Sequence, residues 1–468
     1  MIAKDAHVCI VGAGCFGLST AHHLQARGYT NITLLERAAT HPAPDAASTD
    51  INKIVRSAYS DHVYVSLARE AIELWKDESV FGDSYRESGV LVLAADVSFL
   101  GNSNAPLENE RAAGAPIREL RSGAEVADAL PASVRPNPPP EGRAGYLNPQ
   151  GGWANAEGAI KKLADLVTSR GAKLLTGQEV IGLSHDAFGG VSGVRVKGKS
   201  EPVEADYVII ASGSWTVSSF PDPELGLNSR MVATGNSVAT IQLSPEEVQR
   251  YQDIPVILDF DTGFYCFPPN DQGIMKFARH YAGVINPDVI PEHDLDETPQ
   301  PVSSVPDHRR PDTSKAPNAT SHSAIPRDVA NLCRAVIREI FPELGNRQFD
   351  SGRMCWYTDT ADENWIIDFH PKYQNVLLVT GGSGHGFKFL PNIGRLAVDR
   401  LEGKLDKRLQ DKFALGLDNP AKQVTAPMLS RLKTLDDAGL VFAEELDPTV
   451  PVPSLKEDLS WRETLRSH

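Results

Sequence analysis

The sequence predicts an α/β protein: a βαβ unit at the N-terminus, a parallel sheet grown around it, and a second α+β region of mixed sheet. Three observations carry this. A short apolar run, HVCIV at 7–11, ends in a glycine-rich turn; the pattern GLSTAHHLQAR at 17–27 places apolar residues at helical spacing; and a second apolar run, NITLL at 31–35, follows directly. The 468 residues exceed what one core usually sustains, so two intertwined domains are expected.

The remaining elements follow in order. A loop rich in Ala, Pro, Ser and Asp runs from Ala38 to Asn52 and leads to a helix over 63–76. The stretch 133–151 is crowded with proline and glycine and reads as a crossing loop. An amphipathic helix at 157–170 passes through Gly171 into the strand AKLLTG, and VSGVRVKG and DYVIIASG read as sheet strands. The last is almost wholly apolar, as a strand buried on both faces must be. The polar stretch 293–325 reads as a surface loop, 327–341 as a helix, 375–380 as a core strand and 390–402 as a helix. The tail beyond Asp418 carries no motif.

Composition limits the function classes. Hydrophobic residues make up 41% and charged residues 23%, the proportions of an ordinary globular chain. The formal charge of −15 disfavours nucleic acid or an anionic membrane as partner. The N-terminal residues lack the regions of a signal peptide, and Arg466-Ser467-His468 is not a peroxisomal ending, so a cytoplasmic location is expected. Five scattered cysteines suit a reducing compartment, and without a Cys-x-x-Cys pair no metal is expected.

The glycine turn is Gly12-Ala13-Gly14-Cys15-Phe16-Gly17, between strand and helix, with Glu36 ending the second strand. Gly12 permits the tight turn, Gly14 lets a diphosphate approach the backbone, and Gly17 allows close helix–strand packing. The helix N-terminus favours the negative charge, and Glu36 suits ribose hydroxyls. By itself this unit serves NAD or FAD.

Two later segments decide between them. SGRMCWYTDTADENWIIDFHP (351–371) precedes TGGSGHGFKFLPNIG (380–394), and Tyr265-Cys266-Phe267-Pro268 precedes a strand ending Lys276-Phe277-Ala278-Arg279-His280. Together with Ile51-Asn52-Lys53-Ile54-Val55-Arg56-Ser57-Ala58-Tyr59, these resemble the monomeric sarcosine oxidase family, including its fungal pipecolate, saccharopine and fructosyl-amino-acid oxidase relatives. The resemblance spans Val8 to Gly403 and is weakest at 96–145 and 285–330.

The resemblance implies a glutathione-reductase-type FAD fold. The FAD-binding domain is then expected over 1–85, 147–225 and 350–415, the substrate domain over 86–146 and 226–349, with 416–468 a C-terminal tail. It implies FAD joined covalently through Cys355. Arg37, Asn52, Lys53, Val180, Ser212, Gly213, Trp215, Gly384, Gly386, Phe387 and Lys388 complete the expected cofactor contacts. Lys388 matches a lysine near the flavin pyrimidine and the substrate carboxylate, and Arg56 an arginine that forks to that carboxylate. Tyr265 and His280 match pocket residues. Lys276 matches the lysine that assists oxygen reduction, where fixed positive charge favours electron transfer to dioxygen. Lys53 departs from the arginine of bacterial sarcosine oxidases and matches the fungal branch.

The expected reaction is oxidation of a secondary amine (an N-methyl, N-alkyl or cyclic amino acid) to an imine, with O2 reduced to hydrogen peroxide. A variant closes a ring on the imine in a fungal natural-product pathway. Fructosyl amino acid oxidation is the alternative, disfavoured by His280 where those enzymes carry glutamate and by Gly384-His385-Gly386-Phe387-Lys388 where they carry a Ser-(Gly/Ala)-His-Ser-Phe-Lys run, with Gly386 in place of serine. A dehydrogenase passing electrons to a protein partner and a binding-only flavoprotein are the other rivals. A monomer is the family expectation.

Overall fold

The Val8–Val11 strand is flanked in parallel by Ile32–Leu35 and Tyr207–Ile210. Lys173–Leu175 extends the sheet on the first side and Val376–Thr380 on the second, again in parallel, and Ile366–Phe369 closes that edge antiparallel, giving six strands. The computed structural model describes residues 2–101, 104–220, 224–287, 304, 306 and 324–442.

Both inner strands are buried at every position because both faces of the sheet are covered. On one face lie the helices Cys15–Ala26, Ala156–Ser169 and Ile393–Leu401. The first and last cross in backbone contact: a Cβ on Gly394 would lie 2.1 Å from the Ser19 carbonyl, and Ser19 Oγ both accepts from Gly394 N–H and donates to the Leu390 carbonyl. On the other face sits an antiparallel sheet of Val180–His185, Val191–Val196 and Val203–Glu204.

A mixed ten-stranded sheet forms the second layer system. At its centre Met231–Gln242 pairs antiparallel with both Ile274–Arg279 and Ser351–Thr360. Phe264–Cys266, Val256–Asp259, Val90–Ala94, Ala144–Asn148 and Arg118–Leu120 follow in turn beyond Ile274–Arg279, while Val284–Ile285 pairs with Met231–Gln242 at Gly235, on the edge not taken by Ser351–Thr360, and carries Lys433–Thr434. The helix Arg327–Ile340 covers one face through Val329, Ala330, Cys333, Val336 and Ile337. The opposite face turns toward the first sheet.

The α/β class with a second mixed sheet is therefore as expected, and the helix and strand bounds agree to within a few residues. One expectation fails. Within 133–151, read as a crossing loop, Ala144–Asn148 is a core strand paired with Val90–Ala94. The prolines flank the strand, Pro136 to Pro140 before it and Pro149 after it, and Gly145 is required because a Cβ there would lie 2.0 Å from the Val92 carbonyl. The helix expected from 390 starts at Ile393, after a short turn over Phe387–Phe389. The 293–325 loop lies largely outside the described residues, although Ala324–Pro326 is a buried strand paired with Leu440–Phe442. Among the described residues no helix is long and apolar enough to cross a membrane.

Candidate active site

A cleft runs from the glycine turn at the end of Val8–Val11 to the Ser351–Thr360 strand. Its first end is built by local backbone. Gly12 has φ +100°, a Cβ there would meet the Ala211 carbonyl at 2.5 Å, and its N–H donates to the Leu35 carbonyl. Gly17 brings its Cα against the Gly12 carbonyl, where a Cβ would sit at 2.0 Å. The helix Cys15–Ala26 begins at Gly14 with no side-chain cap and no acid in its first turn, so its N–H groups are left for an anion. Glu36 accepts from the N–H groups of Ala13 and Ala38 at 3.2 and 3.0 Å. Arg37 pairs with Asp45 and stacks on Trp215 at 3.7 Å. Cys15, Phe16, Val180, Ser212 and Gly213 line the same end.

The second end is the turn that follows Val376–Thr380. A Cβ on Gly384 would meet Tyr357 Cε2 at 3.0 Å and His280 Cε1 at 3.1 Å, and one on Gly386 would meet the Phe16 ring at 2.8 Å. Phe387 lines the cleft beside them. Lys388 is buried, donating to Tyr59 Oη at 2.8 Å and to the His385 carbonyl at 2.9 Å. Both acceptors are neutral. Burial pushes the Lys388 ammonium well below its ordinary range, and Arg56 and Lys53 add to this. Arg56 donates to the Ala58 carbonyl and stands over the Tyr59 ring at 5.0 Å.

Burial, with Lys388 adding to it, holds His385 down to about 3, so its ring is neutral. Its Nε2 then donates to the Glu363 carbonyl at 3.0 Å, leaving Nδ1 to accept from Tyr59 Oη at 3.1 Å. Tyr59 in turn accepts from Lys388, so every proton in the series has one direction.

The third wall is one face of the ten-stranded sheet. Alternation along Ser351–Thr360 puts Arg353, Cys355 and Tyr357 on one face, and the register sets Asn236 opposite Cys355. Cys355 is buried, and Tyr265 and Tyr357 are hydrogen-bonded through their hydroxyls; desolvation drives the Tyr265 hydroxyl far above its ordinary value. Lys276 is 1% exposed and donates to Asp50 Oδ2 at 2.9 Å and the Asn52 carbonyl at 2.5 Å. Lys53 also reaches Asp50 Oδ2 at 2.9 Å and lines the cleft. Lys276 and Asn52 therefore stand behind Lys53 rather than on the cleft wall.

Of the expected residues, Gly12, Gly14, Cys15, Phe16, Glu36, Arg37, Lys53, Val180, Ser212, Gly213, Trp215, Gly384, Gly386 and Phe387 line one cleft, whereas Gly17, Asn52, Arg56, Tyr265, Lys276, His280, Cys355 and Lys388 are not among its lining residues. Sequence reasoning missed Asp50, Tyr59, His385, Tyr357 and Arg353. Tyr357 was within reach, two residues from Cys355 in a strand; Asp50 was hidden in a stretch read only as a connecting loop. Among the described residues no group of His, Cys, Asp and Glu is arranged to hold a metal ion.

The glycine cradle, the uncapped helix start and a cleft that runs on from them to Gly386, Phe387 and Tyr357 fit a flavin dinucleotide. Consistent with that fit, residues 7–400 match the family model for FAD dependent oxidoreductases, and the chain belongs to that family. It is 30% identical over 449 residues to the L-saccharopine oxidase of Schizosaccharomyces pombe, covering 93% of this chain and 99% of that one. It is 27% identical to a Bacillus monomeric sarcosine oxidase, covering 88% and 96% of the two chains. Among solved structures it resembles the deglycating fructosamine oxidase Amadoriase II of Aspergillus fumigatus, with TM-score 0.76, 28% identity and coverage of 94% and 95%. Fructosyl peptide oxidase from E. terrenum gives TM-score 0.79 at 27% identity, covering 95% and 100%.

Proposed function

We propose that this FAD dependent oxidoreductase is a secondary-amine oxidase that converts the CH–NH group of an N-methyl, N-alkyl or cyclic amino acid to C=N and reduces O2 to hydrogen peroxide. The observation that carries the reading is the buried Lys388, whose acceptors are neutral and whose charged neighbours, Arg56 and Lys53, are also positive. Such a cluster is stabilised by an anion, and the carboxylate of an amino acid supplies one.

FAD, when bound, supplies the two-electron acceptor for C–N oxidation and passes the electrons on to dioxygen. Lys388 and Arg56 hold the substrate carboxylate and so orient the amine. Tyr59 and neutral His385 fix the lysine's direction through the hydrogen bonds described above. The surrounding cations favour the neutral form of the bound amine, so no dedicated side-chain base is needed to remove a proton before oxidation. The Tyr265–Tyr357 pair and His280 shape the wall facing Gly384, and Lys276 assists oxygen reduction by its charge.

Cys355 carries the cofactor covalently in this reading. Its support is the buried thiol's place near Lys53, which lines the cleft, and on the same face of Ser351–Thr360 as Tyr357, together with the family resemblance of the surrounding motif. Acid precipitation tests it: yellow colour should stay with the pellet, and colour left in the supernatant would overturn the linkage.

The saccharopine and sarcosine oxidase relatives support amino-acid amines as substrates, whereas the solved structures favour fructosyl amines as a second reading. One anaerobic panel separates them. Flavin bleaching by N-methyl amino acids, pipecolate or saccharopine supports the first, and bleaching by fructosyl amino acids alone supports the second. No bleaching by any of them would leave neither standing.

A further inference from the structure

Two lysines share one carboxylate at the back of the cleft. Asp50, 3% exposed, accepts at 2.9 Å from Lys276 Nζ and at 2.9 Å from Lys53 Nζ through the same oxygen, Oδ2. Arg353 stands close to the same carboxylate and is anchored by the carbonyls of Thr49, Pro44 and Ala46. Lys276 faces Asp50 and Lys53 from the segment entering Lys53–Val55, Cys355 from Ser351–Thr360, and the Phe267 ring at 4.5 Å. Tyr265 and Tyr357 complete the charged and titratable surroundings of the group. Lys276 and Lys53 therefore share the Asp50 carboxylate, whereas Arg353 also feels Asp45 and Glu157.

We propose that Asp50 is a positioning residue for oxygen reduction: it ties Lys53 and Lys276 into one unit and keeps the Lys276 ammonium charged directly behind the cleft wall. The inference rests on the reading of Lys276 as the group that assists O2. Oxidation of CH–NH to C=N releases two electrons and two protons, and O2 takes up both pairs to become hydrogen peroxide. Negative charge develops on oxygen before the protons arrive, so a cation held nearby lowers that barrier.

Burial works against this cation. It pulls Lys276 down to about 8 even though Asp50 favours the charged form, and Lys53 pulls in the same direction as burial. For Asp50 burial raises the carboxyl, but Lys276, Lys53 and Arg353 outweigh it and hold it below the usual carboxylate range. Removing Asp50 leaves the buried Lys276 beside Lys53 without the carboxylate it donates to, and its proton is lost at lower pH. The sign follows. Reoxidation by O2 falls as pH rises through the Lys276 value, and without Asp50 that fall moves to lower pH.

The test is stopped-flow reoxidation of the reduced holoenzyme between about pH 6 and about pH 9 for the wild type, Asp50→Asn, Asp50→Glu and Lys276→Met. Asp50→Asn should slow reoxidation about tenfold at neutral pH and lower its pH midpoint, while anaerobic reduction and FAD content change less than about twofold. Asp50→Glu should restore the midpoint. An independent readout is the Nζ titration of Lys276 by ¹⁵N-lysine NMR, which should move down in Asp50→Asn and up in Lys53→Met. The second variant decides the matter if the first does not fold.

An unmoved Lys276 titration, or equal losses in both half-reactions, overturns the role of Asp50. If Lys276→Met slows reoxidation and Asp50→Asn does not, only the Asp50 assignment fails. If Lys276→Met reoxidises like the wild type, the lysine reading beneath it fails.

Discussion

The two ends of the cleft are made in opposite ways. The glycine-turn end draws its decisive parts from residues 12–37, and what it demands is the absence of side chains, since Cβ atoms on Gly12 and Gly17 would fall 2.5 and 2.0 Å from carbonyl oxygens. The sheet-face end draws Asp50, Lys276, Cys355 and Lys388 from four distant segments, and what it demands is charge in a desolvated place. The first is a problem of sterics, the second of electrostatics. The two should therefore fail differently when altered.

The largest effect is expected at the first end. Gly12→Val forces a β-branched residue into φ +100° against the Ala211 carbonyl and should cost at least about 3 kcal/mol, with loss of bound FAD. Thermal unfolding and the flavin absorbance of the purified protein measure both, and wild-type values for the two would break the contrast. Next, Lys388→Met should leave fold and FAD content intact but raise KM for the amino-acid substrate about a hundredfold, with a smaller change in kcat, because it removes a charge-assisted contact to the carboxylate. A neutral amine substrate lacking the carboxylate should feel little of this loss; equal losses on both would remove the carboxylate role. The smallest effect is expected for Glu36→Gln, which keeps one carbonyl oxygen for the backbone N–H groups and should weaken FAD retention by about 1 kcal/mol, read from cofactor release in mild denaturant.

The contrast also explains what was legible beforehand. The βαβ unit could be read because its strand, turn, helix and acid lie within about 30 consecutive residues, the span such a unit needs. Cys355 and Lys388 could be marked because each sits in a distinctive local motif. Asp50 could not: one Asp in a loop rich in small polar residues has no period to place it, and its importance comes from Lys276, 226 residues away. The strand Ala144–Asn148 was missed for a related reason, since Gly145 reads as a breaker until the close approach of the Val92 carbonyl is seen. His385 carried no local hint of its neutrality, which comes from burial beside Lys388.

By itself the sequence determined the α/β class, the dinucleotide turn and the family, because backbone geometry and side-chain periodicity are properties of neighbouring residues. The tertiary structure alone decided that Lys53 stands at the cleft wall with Lys276 behind it, that one carboxylate serves both, and that Lys388 donates to the neutral Tyr59 hydroxyl and His385 carbonyl. These are matters of distance and desolvation between segments far apart in the chain, and no local pattern of residues encodes them.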